Sequence, residues 1–180
     1  MAAPSYHLWL KPGGQVYDIL AETIRTLAEK FDAPIFEPHV TLLGGLAGSE
    51  VEHLRRTKEL AGTLRAFHIT LAEARYRDEY FRCLFRLVEQ TPAVMEANLS
   101  ARRIFDQVSN EGYMPHASLL YGIYPANRKR EQIAMLPDQR GLTFETTAIV
   151  LIRADSEAPK DWHEILTAPM GAAPRGGAAP

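Results

Sequence analysis

Residues 38 to 45 read Pro38-His39-Val40-Thr41-Leu42-Leu43-Gly44-Gly45, and residues 115 to 122 read Pro115-His116-Ala117-Ser118-Leu119-Leu120-Tyr121-Gly122. Five of the eight positions are identical, and the fourth carries a hydroxyl in both copies. The histidines lie 77 residues apart, from 39 to 116. That offset is too long for a solenoid repeat and suits two halves of one domain. Along a strand alternate side chains share a face, so His39 projects with Thr41 and His116 with Ser118, while Val40 and Leu42, or Ala117 and Leu119, face a core. If the halves pack about an approximate twofold axis, the two imidazole and hydroxyl pairs converge.

Working outward, short apolar runs predict strands over 6–10, 39–43, 67–72, 81–88, 117–121 and 144–152. The 67–72 and 81–88 pair reads as a hairpin. Between the strands lie helical patterns. The clearest places Val16, Leu20, Ile24, Leu27 and Phe31 on one stripe after Pro12-Gly13-Gly14 and ends before Pro34. Others are expected over 49–62, with Ser49 as N-cap, over 92 to about 108, opened by Thr91-Pro92, and over 126–135. The irregular alternation of strands and helices predicts an α+β fold.

The chain has 180 residues, 46% hydrophobic and 23% charged, an ordinary soluble composition. A single domain over 1–170 is expected, followed by a disordered Gly/Ala/Pro tail over 171–180. Twenty Lys and Arg against 22 Asp and Glu argue against a dedicated binder of long nucleic acid, which normally carries a basic excess. They leave a small anionic ligand open. Cys83 is the only cysteine, which excludes an intrachain disulfide and a cysteine-rich zinc site. No stretch approaches a membrane span or a signal peptide, so a cytoplasmic monomer without membrane contact is expected.

Two histidines and two hydroxyls in one cleft suit phosphoryl transfer without a metal or other cofactor. One neutral imidazole can take a proton from water while the other, charged, gives one to a leaving oxygen. The hydroxyls can hold nonbridging phosphate oxygens. A lone His-x-Thr would be read as structural; two matched copies outweigh that reading. Zinc is the weaker competitor, because no HExxH spacing or third ligand accompanies the pair. His53, His68 and His163 lack such partners, and Arg55-Arg56, Arg102-Arg103 and Arg128-Lys129-Arg130 read as solvated helix faces.

Paired His-x-Thr/Ser motifs in repeated halves resemble the two-histidine phosphoesterase superfamily, in particular its cyclic phosphodiesterase branch from plants, yeast and bacteria. The likeness extends to Tyr6-His7-Leu8-Trp9-Leu10-Lys11-Pro12, to Phe36-Glu37-Pro38 and to Tyr113-Met114, and covers roughly 5–168. The resemblance implies a bilobal fold with two antiparallel sheets facing a cleft and helices outside. It implies metal-independent hydrolysis of nucleoside 2′,3′-cyclic phosphates to 2′-phosphates, and opening of ADP-ribose 1″,2″-cyclic phosphate. His39 and His116 become the acid–base pair, Thr41 and Ser118 the phosphate clamps, with His116 as base and His39 as acid, or the reverse. Trp9 and Tyr121 match aromatic positions at that cleft and are expected to bind substrate by stacking. Strict alternation points Tyr121 away from His116 unless a bend at Gly122 turns it back. The alternatives are an RNA-end or 2′-5′ phosphodiesterase or ligase of the same superfamily, favoured by a groove lined with Arg102, Arg103 and Arg128, and a catalytically silent nucleotide-binding module.

Overall fold

The computed structural model describes residues 3–107 and 112–171. Its strands are β1 (Ser5–Leu10), β2 (Val40–Leu46), β3 (Phe67–Tyr76), β4 (Leu84–Val88), β5 (His116–Leu120), β6 (Thr143–Thr146), β7 (Ala148–Ala154) and β8 (Trp162–Pro169). The helices are α1 (Gly14–Phe31), α2 (Glu50–Thr63), α3 (Pro92–Ile104) and α4 (Ala126–Met135). The fold is α+β. All eight strands are antiparallel neighbours in the order β6-β3-β4-β5-β2-β1-β7-β8.

The expected two sheets are two four-stranded halves joined edge to edge into one. The motif strands β2 and β5 form the joint, and they share a single register pair, Val40 opposite Ala117. Both residues are buried. Continuing an antiparallel register by one residue each way sets His39 beside Ser118 and Thr41 beside His116. Each motif's histidine therefore lies next to the other motif's hydroxyl. The helices reinforce the joint across the halves, since α1 lies against β5 and α3 against β2.

Local signals explain most boundaries. The α1 stripe is buried, and the helix stops at Asp32, which adopts a left-handed φ of 51° two residues before Pro34. In α3 the Thr91 hydroxyl accepts from Val94 N, and Pro92 occupies the first turn. Ser49 precedes α2 but makes no side-chain cap. The predicted strand over 81–88 is shorter at its start because Tyr80–Arg82 forms a 3-10 turn. The single run over 144–152 is two strands, β6 and β7, broken at Thr147. Strand β8 is an addition to the predicted set, because Trp162 to Pro169 alternates too weakly for a period-two signal. The expected end of α3 at Val108, and 172–180 of the expected tail, lie outside the described residues. Gly171 donates to the Ala61 carbonyl and so belongs to the folded part. No described helix is long and apolar enough to cross a membrane.

One expectation needs correction. Lys129, read as part of a solvated basic face, is 1% exposed; its ammonium donates to the Arg77 carbonyl at 2.9 Å and pairs with Asp78. His53, on α2, is also buried, between Tyr6 and Phe105. Neither His53 ring nitrogen makes a hydrogen bond. Burial holds its pKa below the usual histidine value, a shift that the nearby Ala47 carbonyl offsets only in part. Below about pH 6.5 the unfolded chain binds this proton more readily than the fold, so stability falls with acid over the interval down to the lowered native value. His53→Phe removes that contribution and two unpaired polar atoms. Thermal unfolding at pH 5 and pH 8 should show a smaller acid loss than in the parent, with a gain of about 1 kcal/mol. An unchanged difference between the two pH values would contradict this.

Candidate active site

The joint between β2 and β5 opens into a cleft of about 470 Å³, within the usual range of small-molecule sites. All four motif groups, His39, Thr41, His116 and Ser118, line it. A tight backbone contact fixes each imidazole. His39 Nδ1 lies 2.7 Å from the Glu37 carbonyl, and His116 Nδ1 lies 2.9 Å from the Met114 carbonyl. A carbonyl only accepts, so each Nδ1 carries the hydrogen, and Nε2 is left as the reactive nitrogen of both rings. The same i to i−2 bond in each copy follows from the repeat itself.

The two rings differ in environment. Trp9 stacks flat on His39, with centroids 3.6 Å apart and planes 7° from parallel. Together with Phe36 at its edge this leaves His39 only 6% exposed, while His116 is partly exposed. Burial pushes His39 down to about 3, with the carbonyl of Glu37 opposing and the neighbouring His7 and His116 adding to the fall. His116 is also lowered, first by burial and then by Arg82 and Arg77, against the Met114 carbonyl and Glu79. Both imidazoles are therefore neutral near pH 7.

The hydroxyls differ too. Among the described residues no partner holds the Thr41 side-chain hydroxyl, whereas Ser118 Oγ donates to the Phe81 carbonyl at 3.0 Å. The neighbouring Tyr121 phenol is buried, and burial raises its pKa while Ser118 opposes the rise. Tyr121 does return to the cleft. The chain bends at Gly122, whose φ is +141° and whose N–H donates to the Tyr80 carbonyl. A Cβ there would overlap the Tyr124 ring, so only glycine fits this bend. Tyr121 then stacks on Phe36, with centroids 3.8 Å apart.

Trp9 also reaches the cleft, with one face spent on His39. Its edge meets Trp162 of β8, at 5.8 Å between centroids. Sequence reasoning misses Trp162 along with its strand. It also misses Phe81 and Arg82 on the β3–β4 connection and Asp155 and Glu157 after β7, all of which line the cleft. His7 lines it as well and contacts Ser5 Oγ at 3.0 Å; its shared face with Trp9 is visible in the strand alternation. Arg102, Arg103 and Arg128 do not line the cleft. Arg55 and Arg56 are paired with Glu52, and Arg128 lies over the Phe31 ring. Among the described residues no cluster of three or more His, Cys, Asp and Glu side chains is arranged to hold a metal ion.

Histidine and hydroxyl pairs mirrored across a sheet joint are the arrangement of the two-histidine phosphoesterases, and this chain is one of them. More narrowly, it belongs to the family described as cyclic phosphodiesterase-like protein, which matches residues 3–163. It is 28% identical to a cyclic phosphodiesterase of Arabidopsis thaliana, over 84% of this chain and 86% of that protein. It is 27% identical to a 2′,3′-cyclic-nucleotide 3′-phosphodiesterase of Yarrowia lipolytica, over 88% and 96%. Among solved structures, TT0787 of Thermus thermophilus has a similar fold, with TM-score 0.69 and 18% identity over 93% of this chain and 98% of that one. E. coli LigT complexed with 3′-AMP gives TM-score 0.63 and 14% identity over 94% and 99%.

The lowered imidazoles make a direct expectation. In a nitrogen-15 NMR titration of the free protein, both rings should show hydrogen on Nδ1, and His39 should stay neutral down to about pH 4. Saturating inorganic phosphate should move both transitions upward, because an anion favours imidazolium. A His39 transition near the ordinary value of about 6.5 in the free protein would contradict the assignment of burial as its controlling feature.

Proposed function

We propose that the chain hydrolyses small cyclic phosphates, nucleoside 2′,3′-cyclic phosphates to 2′-phosphates and ADP-ribose 1″,2″-cyclic phosphate by the same chemistry, without a metal. Cyclic phosphodiester hydrolysis is the reaction of its family. The observation that carries the two-histidine mechanism is the matched pair of Nδ1 to carbonyl bonds, which leaves two Nε2 atoms free in one cleft.

In this reading the cyclic phosphate sits between the two motifs. Thr41 donates to one nonbridging oxygen, and Ser118 exchanges the Phe81 carbonyl for another. His116, the more exposed ring, has access to water and acts as base: its Nε2 takes a proton as the water oxygen bonds to phosphorus. The P–O3′ bond breaks, and His39 Nε2–H delivers its proton to O3′, leaving the 2′-phosphate. The Trp9 face supports the charged form of His39, and the bound phosphate anion offsets the cost of charging it in a buried place. Solvent then restores the two protonation states. Trp9 serves here as the support of the acid, while Phe81 and Trp162 offer apolar surface to the nucleoside.

Ligands in the neighbouring structures are consistent with a small phosphate compound, since LigT has been solved with 3′-AMP, with phosphate and with ATP. An RNA-end activity would draw on the arginines of α3 and α4, which lie outside the cleft lining. A silent binding module would have no use for two oriented imidazoles.

Steady-state kinetics with a nucleoside 2′,3′-cyclic phosphate in EDTA tests this reading. Activity should persist, and His39→Ala or His116→Ala should each lower kcat by about 10²–10⁴-fold. The pH profile of kcat/KM should be bell-shaped and centred below 6.5, because both imidazoles are lowered in the free protein. The kcat profile should lie at higher pH, since bound phosphate raises both. Activity that returns only with a divalent metal, or survives loss of either histidine, would overturn the mechanism.

A further inference from the structure

The cleft is electrically polarised along the sheet. At its centre lie His116 on β5 and His39 before β2, at one end Arg82 just ahead of β4, and at the other Asp155 and Glu157 after β7. Arg82 is the only Lys or Arg among the described lining residues. Its Nε edge meets Glu79 at 3.2 Å, and the same carboxylate is shared with Arg77 at 3.4 Å. Two guanidinium groups against one carboxylate leave this end positive. At the other end Asp155 is balanced by Arg153 at 2.7 Å, and Glu157 adds a further negative charge to the rim.

The segment that presents Arg82 is held at nearly every residue. The Arg77 carbonyl accepts from buried Lys129, the Glu79 carbonyl from Arg82 N, the Tyr80 carbonyl from Gly122 N, the Phe81 carbonyl from Ser118 Oγ, and the Arg82 carbonyl from Arg77 N. Five held carbonyls in six residues, four of them still held once Ser118 turns to the substrate, make a preorganised mount, so the guanidinium reaches a ligand with little ordering left to do. This also gives buried Lys129 a purpose that its place in a basic run does not suggest.

We infer that Arg82 binds a second anionic group of the substrate, a phosphate or diphosphate on the 5′ side of the ribose, beyond the cyclic phosphate held by the two motifs. The inference rests on the proposed function for the position of that cyclic phosphate. The central phosphate already has its own donors in His39, Thr41, His116 and Ser118, while Arg82 stands one strand further out. Of the two ends, only this one attracts a second anion; at the other the charge of Glu157 repels one, and the carboxylates of Asp155 and Glu157 accept from base or ribose N–H and O–H groups. The chain is thereby biased towards cyclic phosphates that carry another phosphoryl group over plain cyclic nucleosides.

Calorimetric binding of adenosine 2′-phosphate and adenosine 2′,5′-bisphosphate to the whole protein tests this without needing turnover. The parent should bind the bisphosphate about tenfold more tightly, the scale of one charge-assisted contact. Arg82→Gln should abolish that preference while leaving affinity for the 2′-phosphate within about twofold, and Arg82→Lys should keep part of it. Equal affinities in the parent, no binding of either ligand, or an Arg82→Gln variant weakened equally for both would overturn the inference, the last by placing the guanidinium on the reacting phosphate. Turnover of adenosine 2′,3′-cyclic phosphate, followed separately, reports on the hydrolytic reading alone.

Discussion

The pairing of Val40 with Ala117 is the narrowest point of the sheet and the one on which the site depends. Two four-stranded halves meet there through a single register pair, so the faces that carry His39, Thr41, His116 and Ser118 must be set by what packs around the joint. The crossed helices do this, with α1 against the second half and α3 against the first. Asn98 of α3 adds a direct tie, donating to the Leu42 carbonyl at 2.7 Å. A one-residue slip at this joint would turn each motif's polar pair to the opposite face, which the buried Val40, Leu42, Ala117 and Leu119 resist. The hydrophobic pattern of the motif is thus as much a part of the site as its histidines.

Within that frame symmetry supplies the chemistry and asymmetry divides it. Both imidazoles are oriented by the same backbone bond. Trp9, His7 and Phe36 surround one of them, whereas the other lies nearer solvent and the Arg77–Arg82 turn. One hydroxyl has no partner among the described residues, and the other is held by a loop carbonyl. Duplicated strands can therefore serve opposite ends of one proton transfer, because it is their neighbours, drawn from unrepeated segments, that differ.

That division explains what can be read from the sequence. The repeat, the strand alternation and the polarity of His39, Thr41, His116 and Ser118 are local properties, and they predict one face of each strand correctly. Tyr121 requires one further physical step, a bend at Gly122, which is the stated condition for its return. That Trp9 lays one face on His39 is not legible in the same way, since stacking partners are a matter of tertiary approach and leave no period in a sequence. Arg82, Phe81 and Trp162 come from a turn and a weakly alternating edge strand, where hydrogen bonds from distant residues decide the geometry. Lys129 shows the same limit in reverse: a charge among charges in sequence is buried because a loop about 50 residues away supplies its partners.

The central claim, that two imidazoles alone open a cyclic phosphate at one defined bond, is tested most directly by phosphorus NMR of the protein with a nucleoside 2′,3′-cyclic phosphate in excess EDTA. The account predicts conversion to a single product, the 2′-phosphate, with none of the 3′-isomer. An unchanged cyclic phosphate signal, or accumulation of the 3′-phosphate, would contradict it.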